Sequence, residues 1–64
     1  MKVEVQFIGL TKPAESDTYT ADWVEWIIEE GYVGILVGTK GKTRLVATYP
    51  EHRVGRLRVI ESIN

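Results

Sequence analysis

The chain has 64 residues, of which 27% are charged and 44% hydrophobic, and its formal net charge is −1. This length suits one domain and excludes a second, so we expect residues 1–64 to form a single small domain with a small core. The absence of cysteine excludes disulfides and thiolate zinc sites. No stretch approaches the roughly 20 apolar residues of a transmembrane helix, and "KVEVQF" after Met1 lacks the apolar run of a signal peptide. We therefore expect a cytoplasmic protein with no membrane partner.

Charge is distributed unevenly along the chain. Residues 1–30 contain two basic and seven acidic side chains, a balance of −5, whereas residues 31–64 contain six basic and two acidic side chains, a balance of +4. The two halves either neutralise each other in the fold or present a basic surface to a partner.

The first 20 residues divide into an alternating and a polar segment. Residues 2–10 place Val3, Val5 and Phe7 on one side and polar residues on the other, which predicts a half-buried strand. Residues 11–20 contain proline, serine, aspartate and several threonines, which predicts a surface loop.

Residues 22–30, "DWVEWIIEE", are compatible with a helix or a strand. A helix would gather the apolar side chains on one face and end at Gly31. However, tryptophan and β-branched residues are poor helix formers, and the two final glutamates would lie at the negative end of the helix dipole. We favour a strand, followed by a two-residue turn at Glu30 and Gly31. That turn would pair apolar residues on one face, namely Ile28 with Val33, Trp26 with Ile35 and Val24 with Val37.

Residues 32–38 and 43–49 predict a second hairpin. The connecting "GTKGKT" resembles the end of a phosphate-binding loop, but the required spacing of glycines is missing and a strand follows instead of a helix. It is therefore interpreted as a hairpin turn. Placing Leu45, Ala47 and Tyr49 in the core requires an odd-length connection or a bulge around residues 40–42.

The remaining segment predicts a turn at residues 50–53 and a last strand at 55–63, with Leu57, Val59 and Ile63 facing inward. We expect this strand to pair with the strand at 43–49. Five short strands joined by tight turns indicate a mainly β fold, a small SH3-like barrel or meander. If residues 22–30 are helical, the alternative is an α+β fold with a four-stranded antiparallel sheet and one helix.

No arrangement of residues indicates catalysis, a cofactor, a metal or a small-molecule substrate. The only histidine, His52, lies in a predicted turn without a second ligand. The acidic residues of 22–30 would alternate between two faces of a strand, unlike the ligands of a calcium loop. The candidate nucleophiles are scattered hydroxyl side chains, and no set of nucleophile, base and orienting residue is recognisable. We expect a non-catalytic binding module.

Basic side chains recur in the second half of the chain. If Leu45 and Leu57 face inward, the arginines adjacent to them in the sequence face outward from two paired strands, next to the hairpin tip. Such a surface suits the phosphates of RNA or DNA. Tyr32 would face outward and could stack on a base. The alternative is that the arginines keep a sheet face soluble and pair with glutamates. The predicted nucleic-acid-binding residues are Lys40, Lys42, Arg44, Arg56, Arg58 and Tyr32.

Apolar residues also occur at positions predicted to face outward. A sheet with one solvated face would be polar there, so these residues indicate either a closed barrel or an interface with a protein partner or a second copy. The residues of this alternative interface are Ile8, Leu36, Val46 and Ile60.

Residues 22–36 resemble the small SH3-like barrels of the KOW type. The matching pattern runs from an aspartate through spaced apolar residues to two glycines and a further apolar position: Asp22, Val24, Ile27, Gly31, Gly34 and Leu36. The resemblance implies an SH3-like barrel and RNA or ribosome-associated binding. Glu29 and Glu30 depart from it, since basic or neutral residues beside the first glycine would suit RNA better.

Overall fold

The computed structural model describes residues 1–8 and 15–62. It contains six strands: β1 (Lys2–Phe7), β2 (Ser16–Thr20), β3 (Trp23–Glu29), β4 (Tyr32–Thr39), β5 (Lys42–Pro50) and β6 (Val54–Glu61), with one 3₁₀ turn at Glu51–Arg53. The mainly β fold class is confirmed, and the alternative with a helix at 22–30 is wrong because these residues form β3.

The strands form two antiparallel sheets of three strands each. One sheet has the order β2-β1-β6 and the other has the order β3-β4-β5. In the part of the chain that the structure describes, no ladder joins the two sheets into a barrel. The count of strands is six where five were expected, because Ser16–Thr20 forms β2 within the predicted loop 11–20. Its tyrosine and β-branched threonines suit a strand. Residues 9–14 of the first two predicted segments lie outside the described residues.

The hairpin of β3 and β4 has the predicted register. Ile28 is opposite Val33, and the next two apolar pairs follow on the same face. The turn at Glu30 and Gly31 is also confirmed, and both residues have positive φ, 44° and 83°. Positive φ at both central residues matches the twist of the flanking strands.

The hairpin of β4 and β5 contains a bulge in an unexpected place. The turn at residues 40–41 has the regular two-residue length, since Thr39 pairs with Lys42. The irregularity lies further along, because Ile35 pairs with Ala47 whereas Leu36 pairs with Leu45, which leaves Val46 as the extra residue. The extra residue reverses the alternation of faces towards the turn. Leu45 therefore points outward, and the prediction that it lies in the core is wrong.

The last strand pairs with the first. Val5 is opposite Leu57 and Val3 is opposite Val59, so the inward orientation of Leu57 and Val59 is confirmed. The prediction that β6 pairs with β5 is wrong, because the apolar alternation of β6 matches that of β1, which places both inward-facing rows over the core. Ile63 lies outside the described residues.

The core lies between the two sheets and is small. Its fully buried side chains come from β1, β3 and β4: Val3, Val5, Val24, Val33 and Ile35. Half-buried residues such as Phe7, Trp26 and Tyr49 surround them. The outer faces of both sheets are therefore left to solvent.

Candidate protein interface

The predicted basic residues are divided between the two sheets. Lys40, Lys42 and Arg44 belong to the β4–β5 hairpin, whereas Arg56 and Arg58 lie on β6. The bulge also places Arg44 opposite Val37, on the inward-facing side of its strand, although its side chain is exposed at the hairpin end. The predicted continuous basic surface on paired strands is therefore wrong.

Arg58 is engaged within its own sheet. Its Nε donates a hydrogen bond to Glu4 Oε1 at 2.8 Å, and Gln6 Nε2 donates to the same oxygen at 2.8 Å. The hydrogen bond from Arg58 lowers the pKa of the Glu4 carboxyl from its usual value. The expected alternative, that an outward arginine pairs with a glutamate, describes Arg58.

Tyr32 faces outward as predicted, but it lies far from the basic hairpin tip. Its hydroxyl donates to Glu29 Oε2 at 3.3 Å. The seven-residue separation from the end of β4 at Thr39 corresponds to about 23 Å along the strand. At the tip, Lys40 Nζ lies 5.5 Å from the centroid of the Trp23 ring, a distance in the range of cation–π contacts.

The outer face of the β2-β1-β6 sheet is polar. Val3 and Val5 point into the core, so the alternate residues of β1 and their cross-strand partners point outward. These residues are Lys2, Glu4, Gln6, Ser16, Thr18, Thr20, Arg56, Arg58 and Glu61. A surface of this kind is well hydrated and needs no partner.

The outer face of the β3-β4-β5 sheet is apolar at its centre. Gly34 pairs with Ile27, and a Cβ built on Gly34 would lie 2.8 Å from Leu45 Cδ1 and 3.2 Å from Ile27 Cγ1. These two side chains thus cover the glycine from outside, and Leu36, paired with Leu45, extends the same face. We call Ile27, Leu36 and Leu45 the outer apolar cluster.

Polar side chains, two of them glutamates, border the outer apolar cluster. Thr43 Oγ1 donates to Glu25 Oε1 at 2.8 Å across the sheet, and Glu29 accepts from Tyr32 at the other end of β3. Thr48, opposite Gly34, is exposed on the β5 side. The face therefore has an apolar centre and two carboxylates along one margin.

The residues of the predicted alternative interface do not form one surface. Leu36 belongs to the outer apolar cluster, and Val46 is the bulged residue of β5. Ile8 and Ile60 lie at opposite ends of the other sheet, near the pairs Phe7–Val54 and Lys2–Glu61 respectively. Sequence analysis missed Ile27 and Leu45, because the face of Leu45 depends on the bulge and the residue opposite Ile27 is a glycine, which forms no apolar pair with it.

A cluster of phenolic hydroxyls links β2 to β5 at the edge of the core. Tyr49 donates its hydroxyl proton to Asp17 Oδ2 at 2.8 Å, and its oxygen also contacts the Tyr19 hydroxyl. The Tyr49 ring packs against Phe7 with ring centroids 5.2 Å apart. Desolvation by burial, together with these two hydrogen bonds, raises the pKa of the Tyr49 phenol. The cluster joins the two sheets on the side away from β3 and β6.

Two further features concern possible sites. Within residues 1–8 and 15–62, no three histidine, aspartate or glutamate side chains are grouped so as to hold a metal ion. The same residues include no helix with the length and hydrophobicity needed to span a bilayer.

Comparisons with protein-family models, characterised proteins and solved structures found no match to this chain.

Proposed function

We propose that this protein is a non-catalytic protein-interaction module that binds its partner through the outer apolar cluster. The observation that carries the proposal is the contrast between the two sheets: the paired outward positions of one sheet are all polar, whereas the other sheet exposes Leu45 by 50% and Ile27 by 36% around a glycine. Contiguous exposed apolar surface with a polar margin is a feature of protein-binding sites.

The margin indicates the chemistry of the partner. Glu25 and Glu29 lie on the β3 side of the cluster, so a complementary surface has an apolar centre and basic groups along one side. Gly34 lets the side chains of Leu45 and Ile27 lie close to the backbone of β4, so the centre of the face is formed by these two side chains.

Site-specific photo-cross-linking tests this proposal. A photoreactive amino acid that replaces Thr48 would lie beside the outer apolar cluster. The same amino acid in place of Thr18, on the polar face of the other sheet, is the matched control. We expect a discrete adduct from position 48, none from position 18, and loss of the position-48 adduct when Leu45→Lys is added. Equal cross-linking from both positions, or an adduct that persists with Leu45→Lys, would contradict the proposal.

A second candidate function is nucleic-acid binding by the β4–β5 hairpin. Lys40, Lys42 and Arg44 lie within five residues at the turn and are exposed, so they are the part of the predicted basic surface that stays together. Phosphate contacts would give affinity that decreases as salt increases. Titration of single- and double-stranded oligonucleotides at two salt concentrations, with Lys42→Ala as the variant, tests it. Absence of binding at low salt would exclude this function.

A further inference from the structure

One side of the molecule is open between β3 and β6. Each is the end strand of its sheet and has a hydrogen-bonded neighbour on one side, β4 for β3 and β1 for β6. Residues of both strands line the same two clefts: Trp26 with Val59 in one, and Ile28 with Leu57 in the other. The first half of β3 thus faces the last half of β6, so the two strands run antiparallel along the opening.

Core-type side chains are exposed at this opening. Ile28 pairs with Val33 and Val59 pairs with Val3, and both of these partners are buried. Ile28 is nevertheless 56% exposed and Val59 is 43% exposed. Both occupy inward-facing positions that no other strand in residues 1–8 and 15–62 covers. Such edges with unpaired backbone groups readily accept another strand.

The two edges carry opposite charge. β3 contains two glutamates and no basic side chain, whereas β6 contains two arginines, with one acidic side chain, Glu61, at its end. Pairing of β3 with β3 of another copy would bring glutamates together, and pairing of β6 with β6 would bring arginines together, which is unfavourable. Pairing of β3 with β6 of another copy is complementary.

We propose that a second copy of this chain closes the open side by pairing β3 with its β6, and β6 with its β3. A two-fold axis parallel to the strands achieves both contacts at once and keeps the new pairs antiparallel. Each sheet becomes a six-stranded sheet that spans both copies, in the order β2-β1-β6-β3-β4-β5. Ile28 and Val59 are then buried in a common interior. The outer apolar cluster stays exposed, so a partner can still bind there, although Glu29 at its margin also takes part in the dimer contact.

The symmetry also identifies the charged pair that matters most. Because the axis runs along the strands, the rotation does not change the position of a residue along the strand direction. Residues of β3 and β6 that lie side by side in one copy therefore also meet between the two copies. Arg56 lies in the cleft that contains Ile28, and it therefore meets the Ile28–Glu29 end of β3 in the second copy. Glu29 and Arg56 both point outward from their sheets. They form a cross-strand pair that occurs twice in the dimer.

Charge reversal with measurement of molecular mass in solution tests the dimer. We expect the wild type to be a dimer by light scattering and sedimentation, and Glu29→Lys or Arg56→Glu to raise the dissociation constant by roughly tenfold or more. An equimolar mixture of the two variants is expected to form a heterodimer, and the double variant is expected to dimerise by itself. Glu15→Lys and Lys42→Glu, which make the same charge changes away from β3 and β6, are the controls.

Circular dichroism establishes that each variant is folded. A wild type that stays monomeric at all concentrations overturns the dimer, as does association that neither single reversal weakens. Failure of the double variant to recover association also overturns it. A monomer that still forms the Leu45-dependent adduct from position 48 would overturn the dimer alone and leave the proposed function standing.

Discussion

At the scale of single residues, Glu30 has a backbone conformation that suits other residues better. Its φ of 44° is positive, a region that costs an ordinary side chain about 1–2 kcal/mol and that asparagine tolerates. We expect Glu30→Asn to raise the free energy of unfolding by about 0.5–1 kcal/mol, measured by urea denaturation.

The other hairpin provides a matched control for this substitution. Lys40 occupies the same first position of a two-residue turn, before Gly41, but it is not among the residues with positive φ. Lys40→Asn should therefore give no gain in stability. An equal gain from both substitutions would show that the effect does not come from the backbone conformation of Glu30.

The raised pKa of Tyr49 makes the fold less stable at alkaline pH. Its phenol has a raised pKa in the fold because of burial and its hydrogen bonds to Tyr19 and Asp17. Above about pH 10, the ordinary value, the unfolded chain releases this proton while the folded chain retains it, so stability falls as pH rises. Below that pH the full contribution is present. Tyr49→Phe should give a shallower fall in the urea midpoint between neutral and alkaline pH, and parallel curves for variant and wild type would contradict this.

At the scale of elements, the two central strands should be the most protected from hydrogen exchange. β1 and β4 are hydrogen-bonded on both sides, whereas β2, β3, β5 and β6 have one paired side each among the described residues. Amides of β1 and β4 should exchange most slowly in NMR measurements at low protein concentration. Equally slow exchange along β2 or β5 would show that these edges have partners that the pairing does not include.

An element could be predicted where residues close together in the sequence determine its pairing. The register of β3 and β4 followed from apolar pairs on either side of a two-residue turn, and it was predicted correctly. The bulge at Val46 could not be located, because its position is set by contacts of β5 with β4 and not by the residues around the turn. The pairing of β6 with β1 joins residues that lie 47 to 59 positions apart, and alternation alone does not identify the partner strand.

The residues of the candidate site could be predicted only to the same extent as the strand pairing. An apolar outward face was predicted, and Leu36 lies in it, but Leu45 was assigned to the core because the bulge was placed at the turn. The basic residues were recognised correctly as exposed, yet their assembly into one surface depended on the wrong strand pairing. The place of Gly34 in this site was not predicted, since its packing against Ile27 and Leu45 is visible only in three dimensions.

At the scale of the whole molecule, stability rests on a small number of buried side chains. A domain of this length is expected to have an unfolding free energy of about 3–10 kcal/mol. Ile35 is fully buried in the centre of the core, and Ile35→Ala should cost about 3 kcal/mol because it leaves a cavity. The change should leave the protein marginally folded or unfolded, as measured by thermal denaturation.

Ile28→Ala removes the same atoms from an exposed position and is the matched control for the core. It should cost less than Ile35→Ala when the protein is dilute, because Ile28 is 56% exposed in the isolated chain. A similar loss for both variants in dilute solution would show that the opening between β3 and β6 is already covered.

The pairing of β1 with β6 has a consequence for how the protein is made. The ribosome releases β1 first, but the strand that flanks it on one side, Val54–Glu61, is translated some fifty residues later. The meander of β3, β4 and β5 uses short-range contacts that form early, whereas the valines of β1 lack their second neighbour until β6 is in place. The newly synthesised chain thus passes through an interval in which one sheet is incomplete and its apolar side chains are open to association with other chains.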